Sequence, residues 1–174
     1  MQVIENGQIT AVPGISVGHS TNEKGKTGCT TILCAEGAVA GADIRGSAPG
    51  TVEIEVLKPI RLVPKIDALY FTGGSALGLA SFKGVQNYLI HQGIGYDTGN
   101  AKIPIVPGAV IYDIGEDDEM AIPDEQMAYA SAENGIDGHF QEGSVGAGTG
   151  ATVANMFGPE HLKRGGLASM AAKT

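Results

Sequence analysis

Asp67-Ala-Leu-Tyr-Phe-Thr72-Gly-Gly-Ser-Ala-Leu-Gly-Leu79 decides the fold class, because its hydrophobic period changes midway. Asp67–Thr72 is a compact apolar run of strand length. Gly73-Gly74 breaks it. From Ser75 onward Leu77, Leu79, Ala80, Phe82, Val85, Leu89 and Ile90 fall near a 3.6-residue period. The pattern predicts a strand feeding a helix, with Ser75 as its N-cap and Gly93 as its stop.

Upstream, the runs Gln8–Val12 and Ile15–His19 read as strands around a Pro13-Gly14 turn. Cys29–Ala35 and Ala38–Ile44 alternate around Glu36-Gly37 and predict a hairpin with one buried face. Gly46–Gly50 reads as a loop, and Thr51–Leu57 as a short helix stopped before Pro59. Downstream, Ile103–Val106 and Ala109–Ile114 are expected strands separated by Pro107-Gly108. An acidic loop, Glu116–Glu119, precedes an expected helix near Pro123–Asn134, with Pro123 in its first turn. A further helix is expected to start near Thr149, and a weak strand to cover Gly166–Ala172. Hairpins early and strand–helix pairs later fit an α+β or layered α/β sandwich better than a Rossmann order. With no internal repeat and no dividing linker, residues 1–174 are expected to form one domain.

Composition narrows the function. Glycine, at 27 of 174 residues, has roughly twice its usual share without a collagen period, so it must serve turns and close backbone approaches. The net charge of −8 and the scattered basic residues argue against a nucleic-acid partner. Met1–Val12 lacks a signal pattern, and no apolar run is long enough to span a membrane, so a cytoplasmic location is expected. Cys29 and Cys34 sit on opposite faces of one strand, about 16 Å apart along the chain. A disulfide needs Cα atoms within about 7 Å, so both read as reduced, packed cysteines.

Four local constellations carry candidate chemistry. Gly73-x-Ser75 resembles the start of a nucleophile elbow, but Leu77 replaces the final glycine, and a cap with close helix–sheet packing is preferred. Gly146-x-Gly148-x-x-Ala151 is a loose dinucleotide fingerprint without the required strand or acidic partner. Its backbone N–H groups remain candidates to face a substrate or an oxyanion. His19, His91, His139 and His161 are isolated, and no metal is expected. Tyr112, inside an apolar run, reads as a packed ring with one hydroxyl partner.

Five runs carry a resemblance: Pro13-Gly-Ile-Ser-Val-Gly-His19, Thr27-Gly-Cys-Thr30, Thr72-Gly-Gly-Ser-Ala-Leu-Gly-Leu79, Ile105-Val-Pro-Gly-Ala-Val-Ile-Tyr-Asp113 and Gly143-Ser-Val-Gly-Ala-Gly-Thr-Gly-Ala151. In this order the chain resembles the L-aminopeptidase/D-esterase family of N-terminal-nucleophile-like hydrolases. That group includes β-peptidyl aminopeptidases and an endo-acting nylon-oligomer hydrolase. The resemblance implies a four-layer α-β-β-α sandwich, incomplete here, made as a precursor that cuts itself before a Ser or Thr. The new α-amine then serves as general base for that hydroxyl. Small peptides or amides are the implied substrates, with no cofactor. The implied partners are the carboxy-terminal, β-subunit-like chain of the same precursor and further copies of itself.

By the same resemblance Tyr112 is the expected catalytic residue, donating to an oxyanion or orienting the nucleophile. Gly146, Gly148 and Thr149 are expected at the substrate pocket. Val110 stands where aminopeptidase members tend to carry a glutamate for the substrate's ammonium, which favours endo or omega-amide specificity. Ala154-Asn155 stands where members commonly carry Gly-Lys, so Asn155 supplies a hydrogen bond but no charge. The chain is expected to be the amino-terminal part, with its nucleophile beyond residue 174. Two alternatives stay open: a non-catalytic oligomeric or binding protein that keeps the fold, and acetyl transfer as in ornithine acetyltransferase.

Overall fold

The computed structural model describes residues 2–3, 7–115 and 120–173, so the acidic loop Glu116–Glu119 lies outside the described residues. Its centre is a mixed five-stranded sheet. The strands are β1 (Ile15–Asn22), β2 (Thr27–Ala38), β3 (Thr51–Val52), β4 (Ile66–Thr72) and β5 (Gly108–Val110). Their order across the sheet is β1-β2-β4-β5-β3, antiparallel except for the parallel pair β4 and β5.

The strand-to-helix reading of Asp67–Leu79 holds, with altered details. α1 (Ser75–Gly78) leads through a 3-10 turn, Leu79–Phe82, into α2 (Lys83–His91). Gly74, not Ser75, is the cap, at φ +75°, and Ser75 itself lies at φ +53°. Gly93 does stop the helix. Its N–H bonds the Ile90 carbonyl while the Ile94 N–H bonds that of Leu89, the two bonds of a Schellman end. α3 (Glu125–Glu133) starts after Asp124, whose carboxylate accepts the Met127 N–H at 2.8 Å, so an aspartate caps it and Pro123 lies outside.

α2 and α3 cover one face of the sheet. Strand alternation sends Cys29, Ala68 and Tyr70 to that face, where they pack on Val85, Leu89, Ala128 and Ala132. Two polar relays are sealed inside. The Tyr70 hydroxyl donates to Ser81 at 2.6 Å and Ser81 donates to the Gly78 carbonyl, while Thr31 donates to Ser131 at 2.7 Å and Ser131 to the Ala128 carbonyl. Gly84 lies where a β-carbon would strike the α3 backbone, which lets the two helices touch. Cys34 belongs to a second cluster with Ile66 and Ile105, and both cysteines are free and buried.

Several expected elements differ. Gln8–Val12 forms a 3-10 turn at Ile9–Ala11. Gln8 is buried instead as a side-chain clamp, exchanging two bonds with the Phe140 backbone. The Cys29–Ile44 hairpin does not form. A register shift between Leu33 and Ala38, with Gly37 at φ +71°, lets β2 keep pairing with β4, and β2's hairpin partner is β1. Thr51–Leu57 divides into β3 and a 3-10 turn at Ile54–Leu57, because Glu53 adopts φ +52°. Ile103–Val106 is not a strand beyond Ile103. Prolines flank Ile105 and Val106, whose N–H groups bond the carboxylates of Asp67 and Glu53 at 2.8 Å each. Ala109–Ile114 shortens to β5. No helix starts at Thr149; a 3-10 turn occupies Gly146–Gly148. Of the expected last strand, Leu167 makes a lone bridge with Gly143 and Ala172 pairs with Val3.

One sheet and one helical layer of the expected sandwich are therefore present, and no second large sheet occurs among the described residues. The sheet face away from the helices carries Thr30, Leu69 and Phe71. The Gly146–Gly148 turn covers part of it, and clefts open over the rest. None of the described helices is long and apolar enough to cross a membrane.

Candidate active site

β4 and β5 run parallel and end side by side, which creates a crevice beyond their carboxyl ends. The Ile111 N–H bonds the Thr72 carbonyl at 2.8 Å, and the Ser75 N–H bonds the Ile111 carbonyl at 3.1 Å. Those bonds carry the pairing past both strand ends and bring Ser75 beside Tyr112.

Asp113 fixes the junction. Its Oδ1 accepts the Gly74 N–H at 2.6 Å and its Oδ2 accepts the Thr27 hydroxyl at 2.7 Å. A β-carbon on Gly73 would strike both Asp113 and Thr27, so only glycine leaves room for the carboxylate. Sequence reasoning overlooked Asp113 and Thr27 as a pair, although both lie inside the quoted runs.

Tyr112 is not a packed strand residue. It follows β5, is 70 % exposed, and its hydroxyl has no hydrogen bond among the described residues. The ring stands between two clefts. The first, about 520 Å³, is lined by Tyr112, Asp113, Thr149, Asn155, Lys26 and Arg164 among others. The second, about 750 Å³, is lined by Tyr112, Ser75, Leu69, Phe71, Ala109 and Val110. An exposed phenol between two clefts is placed to donate to an oxygen in either.

The glycine loop is brought to the first cleft in part. Thr149 lines it, but Gly146 and Gly148 are buried behind it. The N–H groups of Gly146 and Ala147 bond the hydroxyls of Thr21 and Thr30 at 2.8 and 3.0 Å, and that of Gly148 bonds the Val145 carbonyl. These donors hold the loop on the sheet and are not directed at a ligand. The Thr149 hydroxyl donates to the Gly146 carbonyl at 2.6 Å. Asn155 accepts from Thr152 at 2.9 Å, and Ala154 before it lies at φ +69°.

His19 clamps the loop from behind. Its Nδ1 lies 2.9 Å from the Thr30 hydroxyl and its Nε2 is 3.1 Å from the Gln141 carbonyl. A carbonyl only accepts, so Nε2 carries the proton and Nδ1 accepts from Thr30. Burial lowers the His19 pKa from its ordinary 6.5, opposed by the bond to Gln141. The elbow comparison also resolves here. Ser75 has the strained left-handed backbone, but Leu77 is exposed and the tight contact falls at Gly78, against the Gly73 carbonyl. The Asp113 carboxylate at this junction is engaged by Gly74 and Thr27, and among the described residues no hydrogen bond joins the Ser75 hydroxyl to a base.

Known proteins resemble this chain along most of its length. The sequence profile of Peptidase family S58 matches residues 7–159. An uncharacterized aminopeptidase of Mycobacterium leprae is 37 % identical over 165 residues, covering 86 % of this chain and 46 % of that protein. A 6-aminohexanoate-oligomer endohydrolase of Kocuria sp. is 33 % identical over 147 residues, covering 83 % and 38 %. The solved L-aminopeptidase D-Ala-esterase/amidase of Ochrobactrum anthropi, a variant of the Ntn hydrolase fold, superposes with a TM-score of 0.63 at 18 % identity, covering 82 % and 44 %. At that identity the likeness establishes the fold alone. The chain spans less than half the length of these relatives. With the profile running through all five quoted runs, the chain belongs to Peptidase family S58.

Proposed function

We propose that this chain builds the scaffold and one wall of the active site of an amide hydrolase. Its Ser or Thr nucleophile, exposed by self-cleavage, comes from the part of the relatives that this chain does not span. Tyr112 carries the reading. It is an exposed phenol with no hydrogen bond among the described residues, placed between two clefts at the carboxyl ends of parallel strands and fixed from the next residue by Asp113. Its hydroxyl donates to the oxyanion of the tetrahedral intermediate or orients the nucleophile, and Thr149 and the loop behind it shape the first cleft. The relatives are named for hydrolysis, which supports amide cleavage over acetyl transfer or a purely structural role.

Specificity follows from Val110. It faces the second cleft, where an isopropyl group cannot pair with an ammonium. Substrates without a free amine at that point, as in endo or omega-amide cleavage, are favoured. Residues 1–174 act as one domain of a homo-oligomer in the cytoplasm, and the two free, buried cysteines support the reducing compartment.

The test is a mass spectrum of the protein made from its whole reading frame, paired with an amide assay. The expected result is two polypeptides, the second beginning with Ser or Thr, and faster cleavage of amine-capped amides than of free-amine ones. A single uncleaved polypeptide that leaves both substrates intact would refute the reading.

A further inference from the structure

Ser75 combines three properties that the scaffold role does not use. Its backbone sits at φ +53°, which disfavours a side chain with a β-carbon. Its hydroxyl makes no hydrogen bond among the described residues, caps no helix, and is not sealed from solvent. It lines the 750 Å³ cleft together with Tyr112. A glycine would satisfy the turn at lower cost, so what the serine adds at this position is its hydroxyl.

The cleft indicates what that hydroxyl meets. Leu69, Phe71, Pro107, Ala109 and Val110 make its floor apolar. Its charged residues, Asp43 and Arg45, pair with each other at 2.6 Å in an exposed position. Among the described residues the lining carries no other charge, and its hydroxyls are those of Ser75, Tyr112 and Thr51, the first two side by side beyond the strand ends. Two bonds hold the Ser75 and Tyr112 pair in register: the Ser75 N–H to the Ile111 carbonyl on one side, and the Gly74 N–H to the Asp113 carboxylate on the other.

We propose that Ser75 is a substrate-binding residue: its hydroxyl anchors the amide group of an uncharged, aliphatic amide whose chain lies along Leu69, Phe71 and Val110. The assignment rests on the amide-hydrolase reading for its substrate class. It requires no nucleophilic role for Ser75, whose hydroxyl has no hydrogen bond to a base among the described residues. The hydroxyl accepts from the amide N–H or donates to its carbonyl, and the apolar floor takes the methylenes.

The experiment compares wild type, Ser75→Gly and Ser75→Ala in the protein made from its whole reading frame. Isothermal titration with N-butylhexanamide gives Kd, turnover of hexanoyl-4-nitroanilide gives KM and kcat, and thermal melting gives stability. Ser75→Gly is expected to melt higher than wild type, because the strain is relieved. It should nonetheless raise Kd and KM about five- to tenfold, the value of one lost hydrogen bond, with kcat changed less. Ser75→Ala should show the same binding loss without the gain in melting temperature. Equal Kd for wild type and Ser75→Gly, or no binding of the amide by wild type, overturns the assignment. Binding that depends on Ser75 in a protein that cleaves no amide would support the anchor and refute the hydrolase reading, so the two failures are distinct.

Discussion

The Asp113 carboxylate accepts the Gly74 N–H at 2.6 Å, so the residue after Tyr112 is tied to the residue before Ser75. With its other oxygen on Thr27, Asp113 joins the ends of β4 and β5 to the start of β2. Three of the five family runs therefore meet at one side chain. The other two meet where Thr30 and His19 grip the Gly146–Ala147 turn.

Asp113→Ala strands the Gly74 N–H and the Thr27 hydroxyl. The variant is expected to lose about 3 kcal/mol of stability, since a bond to a charged acceptor is worth about 1.5–3 kcal/mol. Urea unfolding measures it. A midpoint equal to that of wild type would mean the junction does not depend on the carboxylate.

Gly146→Ala is expected to be as harmful for a steric reason. Gly146 lies at φ +54°, and an added β-carbon would overlap the Thr30 hydroxyl and His19 Nδ1. Loss of soluble, folded protein, or a melting point lowered by several degrees, is the expected outcome. A tolerated alanine would show that the turn does not press on the sheet as described.

Ala154→Gly should act in the opposite direction. Ala154 occupies φ +69°, where a β-carbon costs about 1 kcal/mol, and glycine removes the penalty. A rise in melting temperature with unchanged secondary structure is expected, and a fall would contradict it.

Stability should depend on pH through His19. Burial favours its neutral form, so its pKa in the folded chain lies below the ordinary 6.5. Between those two values the unfolded chain binds more protons, and stability rises with pH. The contribution is full above about pH 6.5 and is lost as the pH falls through the folded pKa. Melting followed from about pH 7.5 to 5 should show this slope in wild type and a shallower one in His19→Gln. Parallel slopes would remove His19 as the cause.

What could be read from sequence was set by local rules. The Asp67–Leu79 switch of period, the Gly93 stop and the opposite-facing cysteines each follow from backbone or strand geometry within a few residues. The misses came from distant partners. Ile105 and Val106 have strand propensity, yet their N–H groups are taken by Asp67 and Glu53 from other parts of the chain. The Gly146 and Gly148 assignment followed composition, whereas the N–H groups there are consumed by β1, β2 and the turn itself. Tyr112 came from resemblance, not from its apolar neighbours, which suggested burial. Asp113 carried the signal that was overlooked: an aspartate following an apolar run, in a chain whose Gly73-Gly74 pair leaves space for a carboxylate.

The most direct measurement is the kinetics of Tyr112→Phe in the whole protein. Because the phenol is exposed and makes no hydrogen bond among the described residues, the change removes one hydroxyl without disturbing the core. kcat for amide cleavage is expected to fall about a hundredfold or more, the usual cost of an oxyanion donor, while the melting temperature stays unchanged. Cleavage at the wild-type rate would contradict the account.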